Sequence, residues 1–255
     1  SLEYSKNEKN VYRFYEVYNL IGVCSNELKN YDNALIYHAK ALKETKDKNF
    51  PIALHLGANS LNNIGVVYQY QNKYKEAISQ FQTALQEKDL LKDNPGLYAM
   101  IIDNLAYSKF KLKDYKGLPD LFKYALKIRE DNKLTSGIIT NKIHLSEYYA
   151  ERRDTINSQK FARDALRLAK TTKISGDLLS SLKQIALVEH KNAAEYSKQY
   201  IRISDSIQQE ERKAKDRFAR IAFETDEIIQ QKDKLEEKNR NLFYFFTVIF
   251  SLGIL

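Results

Sequence analysis

The chain has 255 residues, 43% hydrophobic and 29% charged, a balance that supports a buried core and excludes both disorder and a polytopic membrane protein. Eight glycines and three prolines are too few for a turn-rich sandwich or barrel and leave room for long helices. One cysteine (Cys24) and four scattered histidines (His38, His55, His144, His190) give no disulfide framework and little material for a metal centre, and a net charge of +8 from 41 basic and 33 acidic residues does not by itself indicate nucleic acid. The chain opens on Ser1, which reads as a processed, trimmed or fragmentary product, and no signal peptide is visible there.

Internal repeats organise the first 200 residues. The clearest copy runs Leu61-Asn-Asn-Ile-Gly65-Val-Val-Tyr68, then Tyr74-Lys-Glu-Ala77, Phe81 and Ala84-Leu85. An earlier copy has Leu20-Ile-Gly22, Tyr31-Asp-Asn-Ala34 and Ala41-Leu42. Later ones have Asn104-Leu-Ala106 with Tyr115, Phe122 and Ala125-Leu126, then His144-Leu-Ser146 with Tyr149 and Ala165-Leu166, then a weaker Gln184-Ile-Ala186. The small residue of each unit falls at 22, 65, 106, 146 and 186, in steps of 43, 41, 40 and 40 residues. Each step holds two helices of about four to five turns and two short turns. Gly22, Gly65, Ala106, Ser146 and Ala186 then belong where the two helices of a unit cross closely. One hairpin cannot bury its apolar face alone, so stacking must cover it. Asn94-Pro95 and Asn49-Phe-Pro51 place proline near a helix start, and Thr135-Ser136 and Ser175-Gly-Asp177 offer further starts. Pro119 should delay or kink the second helix of the third unit.

These residues resemble the tetratricopeptide repeat family over roughly residues 10 to 203. The match is best in the second unit, where Ile64-Gly65-x2-Tyr68, Ala77-x3-Phe81 and Ala84 fit the family pattern in register. The period exceeds the family's usual 34 residues, and no unit carries the family's tryptophan or terminal proline. The resemblance implies an all-α helical-hairpin solenoid of about five units, residues 1–203.

From Ser204 to Asn241 the composition changes to ten acidic and nine basic residues without glycine or proline. Ile207, Ala214, Ile221, Ile228, Leu235 and Leu242 recur every seven residues, which predicts a long helix with an apolar stripe. The second seam position (Glu211, Phe218, Thr225, Lys232, Asn239) is poor. The helix therefore either pairs in a homodimer through Ile207, Ala214, Phe218, Ile221, Ile228 and Leu235, or lies back on the repeats as a cap. Residues 242–255 carry no charge and read as the first part of a transmembrane helix, with aromatic residues 243–246 at the headgroup boundary. The alternative is an apolar helix end buried against a partner.

Catalytic chemistry is not visible. There is no glycine-rich phosphate loop, no His-Glu-x-x-His and no nucleophile elbow, so no catalytic residue, cofactor or metal is assigned and the chain reads as a non-enzyme. What remains is a surface. Stacked hairpins present their first helices on a concave side. The residues facing it form a polar ladder: Asn19, then Asn62 and Asn63, then Asp103 and Asn104, then His144, with Gln69 and Glu147 one turn further on; Gln184 and Phe110 continue it. An asparagine side chain can bond both groups of an extended peptide backbone, and in peptide-binding tetratricopeptide proteins similar asparagines hold the ligand main chain. The ladder alone shows only a polar face, and a solvated inner wall without a ligand fits it too. Lys183 and Lys191 stand too late and alone to form the family's carboxylate clamp. The basic stretch from Arg152 to Lys173 reads as a solvated outer face, not a nucleic-acid site.

Repeats, charged heptad helix and apolar segment in that order look like the sensor half of bacterial transmembrane sensor histidine kinases. The stretch Tyr200-Ile-x3-Asp205-Ser-Ile207, followed by residues 218–226, is similar to the helix joining repeats to membrane in those proteins. The resemblance implies a periplasmic repeat domain anchored in the inner membrane. It would bind a protein or peptide on its concave face and contain no nucleic-acid site. A membrane-tethered scaffold, the sensor part of a regulator with a DNA-binding output domain and a soluble regulator that binds a signalling peptide remain as alternatives.

Overall fold

In a computed structural model, residues 2–45, 55–213, 234–235 and 238–240 are described, with side chains from residue 12 onward. They are helical and contain no strand. Among the described residues up to Val188, the helices are α1 (Leu2–Glu27), α2 (Tyr31–Glu44), α3 (Leu56–Tyr70), α4 (Tyr74–Ala84), the short α5 (Leu90–Asp93), α6 (Pro95–Lys111), α7 (Asp120–Asp131), α8 (Thr135–Glu151), α9 (Thr155–Ala169) and α10 (Ser175–Val188). They pair as the hairpins α1/α2, α3/α4, α6/α7 and α8/α9, each packed on the next. After α10, a 3-10 turn at His190–Asn192 leads into helical residues 193–199. This makes an all-α solenoid of four hairpins and the first helix of a fifth. The chain divides into Ser1–Gln199 and Tyr200–Leu255, where the sequence reading put the boundary at 203/204.

The turns show how so glycine-poor a chain reverses direction. Within the four hairpins, Lys29, Asn72, Lys113 and Arg153 take positive φ of 58°, 58°, 59° and 59°. Each stands seven residues after the small residue of its unit, so the turn repeats with the same period as the crossings. The following amide closes on the carbonyl five residues back: Asn30 on Ser25 at 2.8 Å, Lys73 on Tyr68 at 2.8 Å, Asp114 on Lys109 at 2.9 Å and Asp154 on Tyr149 at 2.9 Å. That is a Schellman ending, a position that usually takes glycine.

Helix starts follow the sequence only in part. Asn94 caps α6, its Oδ1 accepting the Leu97 amide at 3.0 Å, with Pro95 in the first turn. Asp154 caps α9 in the same way through the Asn157 amide at 3.0 Å. Thr135 and Ser175 do open α8 and α10, but the cap positions are Leu134 and Ile174, which offer no side-chain bond. Helix α3 follows His55 at its cap position, and its Ala58 amide donates to Glu87 of the next loop at 2.8 Å. A carboxylate there also suits the positive end of the helix. Pro119 sits immediately before α7. Asn49-Phe-Pro51 lies outside the described residues.

The crossings are tight. A Cβ on Gly65 would meet the Phe81 ring at 2.4 Å, and one on Gly22 would meet the His38 ring at 2.6 Å. Phe81 and Phe122 are fully buried, and Phe122 packs in one cluster with Ala106. Each such ring contributes about 1.5–3 kcal/mol by leaving water. Apolar clusters follow one another along the stack: one around Phe81, Leu90 and Ile101, one around Phe110, Phe122 and Leu145, and one around Ile139 and Ala165. The fifth unit is tied down at Glu189, whose carboxylate accepts from Asn192, Tyr196 and Arg163, while Gln159 donates to the Val188 carbonyl at 2.9 Å.

Candidate functional site

Helices α1, α3, α6, α8 and α10 supply the polar ladder, and much of it is turned inward. Asn63 donates to Asn19 Oδ1 at 2.9 Å, Asn62 faces Asn63 Oδ1 at 3.4 Å, and Asn104 donates to Asn62 Oδ1 at 2.9 Å. Gln69 continues the chain, its Nε2 lying 2.9 Å from the Asn104 carbonyl and 2.8 Å from Ser108 Oγ. One connected line of amides thus sews three successive first helices together. Asn62 is 2% exposed; Asn19, Asn63, Gln69 and Asn104 are half-buried. The expectation that these amides face a ligand backbone needs correcting for Asn62, which is buried with its Oδ1 bonded to Asn104 of the next first helix and its Nδ2 facing Asn63 on its own.

Asp103 needs a stronger correction: it is wholly enclosed. Arg129 Nη1 lies 2.8 Å from Asp103 Oδ2, Asn141 donates to Oδ1 at 2.7 Å, and His144 Nδ1 stands 3.1 Å from Oδ1. Arg129 reaches Asp103 across Gly137, to whose carbonyl it also donates at 2.8 Å. A Cβ on Gly137 would stand 2.9 Å from Arg129 Nε. Burial pushes the Asp103 carboxyl upward, but His144 and Arg129 overcome it and hold the group below its ordinary value. The aspartate is a charged tie between the third and fourth units. The sequence reading missed Arg129 and Asn141. The only signal was a lone arginine among the apolar positions of α7.

Of the ladder residues, Phe110, Glu147 and Gln184 line a groove of about 710 Å³ on α6, α8 and α10. Tyr107, Phe110, Ile143 and Val188 supply its apolar lining, and Leu187, 63% exposed, stands over it. Glu147 and Glu151 line it with Lys111 and Lys183. Glu147 accepts from the Tyr107 hydroxyl at 3.3 Å. His144 stacks on the Tyr107 ring at 4.3 Å between centroids, and the Lys111 ammonium lies 5.6 Å from the same ring. Burial and then the Glu147 charge push the Tyr107 phenol up, so it stays a neutral donor. Lys183, which the sequence shows standing too late and alone for a carboxylate clamp, lines the groove together with Lys111, from a helix two units earlier.

No group of histidine, cysteine and carboxylate side chains suited to hold a metal occurs among the described residues. Of the heptad positions, Ile207 is half-buried and Leu235 is exposed, both within Tyr200–Leu255. Ala214, Phe218, Ile221 and Ile228 lie outside the described residues.

Residues 14–86 match the tetratricopeptide repeat family. They cover α1 to α4, including the second unit, where the pattern is in register. Among solved structures, BtubC (BKLC) from P. vanneervenii is 13% identical with a TM-score of 0.61, over 81% of this chain and 90% of that one. The apo form of RapI is 18% identical with a TM-score of 0.60, over 79% of this chain and 74% of that one. At such identities the likeness shows the fold, a tetratricopeptide-like helical solenoid. No curated protein is significantly similar in sequence.

Proposed function

We propose that the chain is a protein-interaction module whose groove on α6, α8 and α10 takes a peptide segment of a partner protein. The observation that carries this is the lining itself: aromatic and aliphatic surface open to solvent, rimmed by charges of both signs. Solenoids of this class bind along such concave faces, and an apolar floor with a few placed polar groups is the usual make-up of a binding site. The floor suits an apolar anchor on the partner. Lys111 and Lys183 suit an acidic residue beside it, and Glu147 and Glu151 a basic one. The amides of α1, α3 and α6 hold the scaffold in register.

The test is selection of random dodecapeptides displayed on phage against the full chain. Peptides that bind it and lose binding to a Lys183→Glu, Leu187→Asp variant support the reading. Failure to enrich any sequence, or peptides indifferent to both changes, counts against it.

A wider reading makes this module the sensor part of a bacterial membrane signalling protein, such as a sensor histidine kinase, with its repeats in the periplasm. A tethered scaffold and a regulator with a DNA-binding output are its rivals. It is supported by the order of parts in the sequence, the uncharged run 242–255 above all. That run lies outside the described residues, and among those described no helix is long and apolar enough to cross a membrane. Co-sedimentation of the full chain with membranes, abolished by deleting 242–255, is the result this reading requires; a chain that stays in the soluble fraction argues against it.

A further inference from the structure

Helix α1 and Leu28 just after it expose an apolar stripe. Phe14, Val17, Leu20, Cys24 and Leu28 recur at three- and four-residue spacing on one face. Phe14 is 54% exposed, Val17 51%, Leu20 63% and Leu28 80%, and Cys24 is exposed as well. The repeat steps carry Val17 onto Ser60, Ile101 and Asn141, and Cys24 onto Val67, Ser108 and Tyr148. All six of those are buried. The same steps carry Leu20 onto Asn63, Asn104 and His144, and each of these reaches back to the preceding first helix: to Asn19, Asn62 and Asp103. The stripe is therefore the stacking face of the first unit, with no unit before it in the described chain.

The chemistry of that face says what it fits. Where later units carry an amide or imidazole that reaches back to a polar partner, α1 carries Leu20. A hairpin of the chain's own kind, presenting amides, would bury them against leucine, valine and a thiol without hydrogen bonds, which is costly. An equally apolar face is needed. The charges along its edge are self-complementary. Arg13 and Glu27, both exposed, stand seven residues before and seven after Leu20 on the same flank. In an antiparallel pair related by a two-fold axis at Leu20, Arg13 of each copy lies opposite Glu27 of the other, the arrangement an isologous contact requires.

We propose that this chain dimerises end to end through α1, packing its Phe14–Leu28 stripe against the same stripe of a second copy. This surface is distinct from the groove and from the heptad helix.

The full chain tests it by cysteine scanning, with Cys24→Ser removing the native thiol. In that background Leu20→Cys stands near the two-fold axis, and mild oxidation should convert most of the protein to a covalent dimer. Glu27→Cys, roughly 20 Å from its mate at 1.5 Å rise per residue, should not cross-link, nor should Gln82→Cys on α4. Arg13→Glu should weaken self-association by about tenfold or more, and adding Glu27→Arg should restore it, an outcome that neither misfolding nor a heptad-only dimer produces. If Leu20→Cys cross-links no better than Gln82→Cys, the inference falls. A chain that sediments as a monomer overturns it, as does a dimer indifferent to Arg13→Glu, which would belong to the 204–241 helix.

Discussion

His38 occupies in the first unit the place that Phe81 and Phe122 hold in the second and third, over Gly22 as Phe81 lies over Gly65. The position asks for an aromatic ring, and the imidazole meets that demand at the expense of a buried Nδ1 without a hydrogen-bond partner. Burial lowers its pKa from 6.5 to about 4. Between those two values the unfolded chain binds more protons than the folded one, so stability falls as pH drops from about 6.5 toward 4, and changes no further from this group below that. The effect is on the order of 3 kcal/mol. His38→Phe should raise the melting temperature at pH 7 and lose this component of the acid sensitivity; melting curves at pH 7.5 and 5 compare the two. Arg129 is the second decisive residue. Arg129→Met leaves Asp103 enclosed without its cation and should cost about 3–5 kcal/mol. Arg129→Met with Asp103→Asn should recover part of the loss, read by urea denaturation. A double variant no better than the single one would show that the guanidinium stem, not the charge, matters.

Among the elements, the hairpin turns carry the most strain. Lys29, Lys113 and Arg153 hold left-handed backbone without the freedom of glycine, at a cost of about 1–2 kcal/mol each, part of which a glycine would return as unfolded-state entropy. Lys113→Gly and Arg153→Gly should each stabilise the chain by about 0.5–1 kcal/mol, seen as a higher melting temperature with the helical circular dichroism unchanged. Asn72→Gly should gain less, because asparagine tolerates the conformation better. The small residues explain why the period survives weak sequence likeness: at Gly22 and Gly65 one methyl group more would drive a helix from its partner, so those positions stay fixed while the exposed faces vary.

At the scale of the molecule, the ladder's amides unite the first three units of the stack. Asn62→Ala, Asn63→Ala and Asn104→Ala together remove bonds that link α1, α3 and α6, at about 0.5–1.5 kcal/mol each. The triple variant should therefore melt lower while leaving the groove lining of α8 and α10 in place, and peptides selected on the groove should still bind at temperatures where it is folded. Lost binding with an unchanged melting temperature would return these asparagines to the role of ligand contacts.

Period and small residues were enough to place the successive hairpins, the crossings at Gly22 and Gly65 and the all-helical architecture, because close helix approach leaves a local mark: a residue without bulk at a fixed spacing. The concave ladder was legible as a polar stripe for the same reason. Its direction was not. Whether Asn62 meets a ligand or Asn104, and whether Asp103 faces water or Arg129, depends on side chains some 26 to 42 positions apart, and helical periodicity says only which face they share. The groove likewise joins Lys111 to Lys183 and Phe110 to Leu187, pairs with no relation along the chain. Stacking three first helices side by side is what makes them neighbours, and that is decided by tertiary packing.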